Sequence, residues 1–309
     1  MTRKMAMVTG AGSGIGRATV ELFLERGWAV AGLDVNKGAC ARLRGEAEIA
    51  VAEKRLEVLE CDVSEERQVA SAVERAVEWG GDLHCMVNNA GIGGAFGPVT
   101  EMPVEDWDRT FAVLSRGVFL GVKHSARVMS GQGGSIVNVA SIAALVGDAG
   151  LQAYSAAKAS VLHMSRVFAT ELGPRRIRVN AVCPGPVATP LNPRAATRFE
   201  GSELARVQPL PFPGQPEHLA RAIYFLGSDE SSFVTGQYLA VDGGLEGAGP
   251  RIGQFMGTDP RYLRAHGFNE GTSGREAASR QVEGASPDGG VGPRRSSPAG
   301  AGPSAGSTD

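Results

Sequence analysis

Tyr154 and Lys158, four residues apart in Tyr154-Ser155-Ala156-Ala157-Lys158, and Ser141, thirteen residues upstream, have the types and spacing for proton transfer. On a helix, positions i and i+4 share a face, so the lysine ammonium comes within reach of the phenol. A free phenol has a pKa of about 10 and is a poor base at neutral pH. A neighbouring positive charge favours the phenolate and draws that pKa toward the working range. The Ser141 hydroxyl then holds a carbonyl or alcohol oxygen beside the phenol. Such a trio suits the interconversion of an alcohol and a ketone.

A bare Tyr-x-x-x-Lys pair is common on helix surfaces, and a second motif at the N-terminus gives this one its weight. Lys4 to Thr9 reads as a short buried strand. It runs into Gly10-Ala11-Gly12-Ser13-Gly14-Ile15-Gly16 and then into an apolar-periodic helix carrying Ala18, Val20, Leu22 and Phe23. Strand, glycine turn and helix start form the context of a dinucleotide site. Glycines let the backbone approach a pyrophosphate, and helix N-terminal N–H groups point at the anion. The second strand, Trp28 to Asp34, ends in an acid eighteen residues after Gly16. A carboxylate there accepts both ribose hydroxyls of the adenosine half and repels a 2′-phosphate. No Arg or Lys stands at Ser13 or Val35 to offset that repulsion, so NAD is expected over NADP.

With these residues in hand, the chain resembles the short-chain dehydrogenase/reductase family from Lys4 to about Leu245. Thr9-Gly10-x-x-x-Gly14-x-Gly16 looks like its cofactor loop, and Cys61-Asp62-Val63 is similar to the segment whose Asp contacts the adenine. Asn88-Asn89-Ala90-Gly91 resembles the fourth-strand signature, in which Asn89 would brace the sheet beside the ribose. Asn138-Val139-Ala140-Ser141 would end the fifth strand with the active-site serine. Pro184-Gly185-Pro186-Val187-Ala188-Thr189 looks like the stretch whose Val187 and Thr189 hold the nicotinamide carboxamide, and Val241-Asp242-Gly243-Gly244 like the closing strand. The resemblance implies an NAD-dependent oxidoreductase acting on a secondary alcohol or its ketone. Tyr154 would move the proton, Lys158 would lower its pKa and bond the nicotinamide ribose, and Ser141 would orient the substrate oxygen. It also implies a homotetramer built in part from the two long central helices.

Two departures stand out. The family's Val-Asn-x-x-Gly reads Val113-Leu114-Ser115-Arg116-Gly117 here, so Leu114 replaces an Asn that helps hold a water linked to the lysine. Leu114 keeps the main-chain groups, and Ser115 points about 100° away on a helix. The proton relay is therefore expected to be impaired or rerouted. This keeps open a second reading, a dinucleotide-binding protein with little catalysis and a regulatory or assembly role. An epimerase or dehydratase is a third, for which the chain supplies no larger C-terminal domain. The other departure is Pro209-Leu210-Pro211-Phe212-Pro213-Gly214-Gln215-Pro216-Glu217, whose prolines are expected to stiffen the border of a substrate lid. Ala143, Leu145, Gln152, Leu191 and the region from Pro193 to Pro213 are expected to line a mostly apolar pocket.

The elements that must position these residues follow from alternation along the chain. Further strands are expected at Arg55 to Val63, His84 to Asn89, Ser135 to Ala140, Ile177 to Cys183 and Gln237 to Val241. Helices are expected at Glu65 to Trp79, Val104 to about Met129, Leu151 to Leu172 and Glu217 to Leu226. That alternation specifies an α/β protein with a doubly wound parallel sheet covered on both faces. The family resemblance makes it a Rossmann fold of about seven strands in the order 3-2-1-4-5-6-7, with every motif at one sheet edge. The domain is expected to span 1–245, followed by an extension at 246–269 that packs across a subunit contact or the pocket mouth. Half of the residues from Glu270 to Asp309 are Gly, Pro or Ser, a composition expected to stay disordered.

A net charge of −2 argues against nucleic acid or an anionic membrane as partner. Cys40, Cys61, Cys85 and Cys183 have no metal-ligand spacing and read as buried reduced thiols; the scattered His124, His163, His218 and His266 offer no metal site either. The absence of a long apolar run, and a glycine loop beginning by Thr9, lead to the expectation of a cytoplasmic protein. Arg116 and Lys123 read as solvated helix faces.

Overall fold

The period-two alternation of β1 (Met5–Thr9) decides which layer each of its residues enters. Met5 and Met7 join one hydrophobic cluster, and Ala6 and Val8 join the other, all four fully buried. A strand apolar on both faces must be covered on both faces. The computed structural model describes residues 3–129, 131, 133–147, 149–192 and 207–249, together with the backbone of Ala265–Phe268 and Ala278–Gln281.

Around β1 lie β2 (Ala29–Asp34), β3 (Leu56–Glu60), β4 (Leu83–Asn88), β5 (Gly134–Val139), β6 (Ile177–Pro184) and β7 (Tyr238–Val241). All pair in parallel, in the order β3-β2-β1-β4-β5-β6-β7. This is the Rossmann-type sheet that the alternation and the resemblance lead to. One face packs against α4 (Glu66–Gly80) through Val69 and Val73, α6 (Gly117–Val128) through Val118 and Val122, and α7 (Gln152–Leu172) through Val161 and Leu162. The other is covered by α1 (Gly14–Glu25), α2 (Lys37–Glu46) and α8 (Pro216–Gly227), which contribute Phe23, Leu43 and Ile223.

Phe23 anchors that second layer. Its ring meets Trp28 and Tyr224 edge-on, each at 5.1 Å between centroids. Truncation to Ala removes both contacts and leaves a cavity in a close-packed layer. Phe23→Ala should cost about 3–5 kcal/mol of unfolding free energy in urea titrations. A loss under about 1 kcal/mol would show that the layer collapses around the gap.

Some elements differ from expectation. The single helix expected from Val104 to about Met129 is α5 (Val104–Phe111), a π-helical turn at Ala112–Arg116, and then α6. One widened turn inserts a residue without breaking the apolar stripe, so periodicity does not reveal it. The short helices α2 and α3 (Glu48–Ala52) go unannounced because their apolar faces are narrow; Asn36 starts α2 by accepting the Ala39 N–H at 3.0 Å. Lys123 and Arg116 are not merely solvated: Lys123 Nζ donates to Glu66 Oε1 at 2.6 Å, and Arg116 donates to the Ser64 carbonyl at 3.1 Å.

After α9 (Leu245–Ala248) the first compact unit closes at Gly249. In the second unit, β8 (Ala265–Phe268) and β9 (Ala278–Gln281) form an antiparallel pair. Ala278–Gln281 is thus a strand inside the stretch whose composition leads to no regular structure. The expected docking of 246–269 and the rest of the expected tail at 270–309 lie outside the described residues, apart from Leu245–Ala248, Gly249 and Ala265–Phe268. Among the described residues no helix is long and apolar enough to cross a membrane.

Candidate active site

The C-terminal ends of β1, β4, β5 and β6 and the start of α7 bring the motif residues to one edge. Ser141 follows β5 and begins a 3₁₀ turn at Ile142–Ala144, its hydroxyl accepting the Ala143 N–H at 3.1 Å. That leaves the hydroxyl hydrogen free to donate outward. This hydroxyl lies near enough to the Tyr154 phenol to draw its pKa down. One turn further along α7, the Lys158 ammonium is buried and donates to the Val139 carbonyl at 2.7 Å. It lies 5.7 Å from the centre of the Tyr154 ring. The structure therefore unites Ser141, Tyr154 and Lys158, and adds the Val139 carbonyl as the anchor that aims the lysine.

The electrostatic balance differs from the expected one. Protein packed around Tyr154 pushes the phenol above its ordinary value; the nearby Ser141 hydroxyl pulls the other way, and the Cys183 thiol adds to the rise. Lys158 is pushed down to about 8, chiefly by burial. Desolvation disfavours whichever form is charged, so it raises an acid and lowers a base. The ammonium is aimed at a carbonyl and lies beside the ring, so its field does not overcome that penalty. Cys183, which follows Val182 in β6, is the neighbour that motif reading missed. Burial pushes its thiol up to about 11, against a lowering pull from the Ser141 backbone and the Lys158 charge.

The cofactor cradle is built from closeness. A side-chain carbon on Gly16 would sit 2.0 Å from the Gly10 carbonyl, and one on Gly12 would sit 2.5 Å from Ala39 Cβ. Ser13 caps α1 with extended backbone and makes no side-chain cap, so the first-turn N–H groups, including those of Gly14, Ile15 and Gly16, face outward without a side-chain acceptor. Asp34 Oδ2 accepts the Gly12 N–H at 2.9 Å and Oδ1 accepts the Asn36 N–H at 2.9 Å, which locks the loop to the end of β2. Asn89 Nδ2 donates to the Thr9 carbonyl at 2.9 Å and to the Gly10 carbonyl at 3.3 Å. The Thr9 hydroxyl in turn accepts the N–H groups of Asn89 and Ala90 at 2.9 and 3.0 Å. Across the cradle, a carbon on Gly14 would come within 3.3 Å of the Thr189 side chain.

The remaining motif residues take fixed places. Asp62 Oδ1 accepts from Ser64, and the preceding Cys61 N–H donates to the Asp34 carbonyl at 3.0 Å, so both acids stand at neighbouring strand ends. Val63 packs against Gly117, where an added carbon would lie 3.0 Å from its side chain. Val187 is buried and bridges to Gly214. The proline-rich stretch is held by buried Gln208, whose amide donates to the Leu210 and Phe212 carbonyls at 2.6 and 2.8 Å. Of the expected pocket lining, Ala143 is buried and Leu191 exposed, while 193–206 lies outside the described residues. Behind the site a buried chain runs from Asn88 Nδ2 to Asn138 Oδ1 at 2.8 Å and from Asn138 Nδ2 to Ser165 Oγ at 2.9 Å. Two Asn in otherwise apolar strands were the signal for it. The four cysteines are free and buried, and no cluster of metal-ligating side chains occurs among the described residues.

Set against known proteins, residues 10–246 match the family described as enoyl-(acyl carrier protein) reductase. The chain is 40% identical over 243 residues to a 3-oxoacyl-[acyl-carrier-protein] reductase, FabG, of Thermotoga maritima, covering 78% of this chain and 97% of that one. It is 43% identical over 242 residues to a cis-4-hydroxycyclohexanecarboxylate dehydrogenase of Sinomonas cyclohexanicum, covering 78% and 96%. Among solved structures, a blue fluorescent protein from a metagenomic library, in complex with NADPH, superposes with a TM-score of 0.72 at 35% identity, covering 79% of this chain and 98% of that one. With the fold, the glycine cradle and the Ser141, Tyr154 and Lys158 trio in place, the chain belongs to the short-chain dehydrogenase/reductase family.

Proposed function

We propose that this protein is an NAD(H)-dependent oxidoreductase that interconverts a carbocyclic secondary alcohol and its ketone, with Tyr154 as general acid and base. The observation that carries the reading is the Tyr154 phenol near the Ser141 hydroxyl and one helical turn from a buried lysine whose ammonium is 5.7 Å from its ring centre, at the same sheet edge as the glycine cradle. That cradle fits a dinucleotide, because its main chain approaches where side chains cannot and its helix N–H groups lack other acceptors. When bound, the nicotinamide supplies or accepts the hydride. Ser141 donates to the substrate oxygen and steadies charge developing there. Tyr154 gives its proton to that oxygen or takes one from it, and Lys158 keeps two further N–H donors for ribose hydroxyls. Asp34 supports NAD: its carboxylate faces the place where a 2′-phosphate would add like charge. The carbocyclic substrate is supported by the dehydrogenase relative of that class and by the apolar Ala143, Leu145 and Leu191.

Screening NAD- and NADP-linked turnover over cyclic and open-chain secondary alcohols tests the reading. Turnover on cyclic alcohols with NAD is expected; activity confined to NADP or to acyl chains would sink it. A pH series adds a second check. A phenol held above its ordinary value stays protonated through neutrality, so ketone reduction should be flat there. Alcohol oxidation needs the phenolate and should climb by up to about tenfold per pH unit until Lys158 loses its proton near 8. We further propose a homotetramer, supported by exposed Phe119 on α6 and Val167 on α7, and a cytoplasmic setting, supported by four free thiols; light scattering on the purified chain reads the former.

A further inference from the structure

Leu114 is fully buried in the π turn between α5 and α6, and its side chain and the Lys158 ammonium both lie close to Gly91. Gly91, just after β4, leaves a gap that the two side chains share. A carbon on Gly91 would lie 3.3 Å from Leu114 Cδ2 and 3.9 Å from Lys158 Nζ. Among the described residues the ammonium has one protein acceptor, the Val139 carbonyl, although an ammonium carries three donors. Ser115 offers no replacement, because its hydroxyl is paired with Ser160 Oγ at 2.8 Å. The titratable groups that bear on the ammonium are Tyr154 on its own helix and Cys183 from β6; among the described residues the loop after β4 and the π turn bring Gly91, Leu114 and Ser115, none of which titrates.

We propose that Leu114 is a positioning residue that closes the inner side of Lys158, so that the proton shed at Tyr154 leaves past Ser141 along the open sheet edge rather than through the helix layer. The inference rests on the proton-transfer role given to Tyr154 above. An apolar wall where a carboxamide would solvate the ammonium also agrees with the direction of the lysine's shift: burial is its first cause.

Two measurements on the full chain test this. In the first, the Lys158 Nζ resonance of ¹⁵N-lysine-labelled protein is titrated in the wild type, Leu114→Asn and Leu114→Met. The asparagine variant should shift the midpoint upward by about one pH unit or more, and the methionine variant, apolar and similar in volume, should leave it in place. Leu114→Ser replaces the asparagine variant if that one does not fold. In the second, single-turnover alcohol oxidation is followed over about a tenfold rise in buffer concentration at constant ionic strength. The wild type should accelerate several-fold, because its proton leaves to external buffer, while Leu114→Asn should be faster and insensitive to buffer. An unmoved lysine midpoint in the folded polar variant, or equal buffer responses in the two proteins, overturns the inference. The titration needs no turnover, so it is read separately from the proposed activity, whose failure would appear as wild-type turnover that survives removal of the Tyr154 hydroxyl.

Discussion

Tyr154→Phe should lower turnover by about 10²–10⁴-fold while NADH binds nearly as tightly as before. The substitution deletes one oxygen and keeps the ring, so the packing of α7 and the lysine's position 5.7 Å from the ring centre survive. What disappears is the hydroxyl near Ser141, the group to which the proposed function gives the proton transfer to the substrate oxygen. The glycine cradle and Asp34 are untouched, and fluorescence titration with NADH shows whether the cofactor site stands. Because burial raises the phenol's pKa, the loss should be clear in ketone reduction at neutral pH, where the wild-type phenol is ready as an acid. Turnover within about tenfold of wild type would remove Tyr154 from the chemistry and leave Ser141 and Lys158 as a structural pair.

The doubly covered parallel sheet and its glycine loop were legible because they rest on patterns that local physics enforces, while the strand order came from the family resemblance. Buried parallel strands require near-continuous apolar runs such as Met5–Thr9, and a dinucleotide loop requires glycine where a side chain would meet backbone, as at Gly16. The π turn at Ala112–Arg116 was hidden because it changes the hydrogen-bond ladder by one residue and leaves the apolar stripe intact. The sign of the Tyr154 shift was hidden for a different reason. Spacing places a lysine beside a phenol, but the lysine's aim is set by Val139, nineteen positions away in sequence, and the burial of both groups by whole layers. Charge proximity can be read from i and i+4; desolvation cannot, and here desolvation wins. Cys183 and the Asn88–Asn138–Ser165 chain likewise arise from strand neighbours that only the sheet brings together.

Cofactor choice gives the second large effect, through Asp34→Asn. The native carboxylate accepts from Gly12 and Asn36 with its two oxygens and still has lone pairs for ribose hydroxyls. An amide has one accepting oxygen, so one of those N–H groups meets an NH₂ instead, and the loop loosens for either dinucleotide. That shared cost cancels when NADH and NADPH are compared on the same variant. Two terms remain, and both act in one direction. Charge-assisted hydrogen bonds to the ribose weaken by about 1 kcal/mol each for NADH, and like-charge repulsion of a 2′-phosphate vanishes for NADPH. The preference for NADH that the proposed function assigns, measured as the ratio of the two dissociation constants, should therefore fall by about tenfold or more. The surface beside Asp34 is open, with Val35 62% exposed, so a phosphate has room to enter once the charge is gone. A ratio that does not move would mean that Asp34 only fastens the glycine loop and that cofactor choice is made elsewhere at this edge.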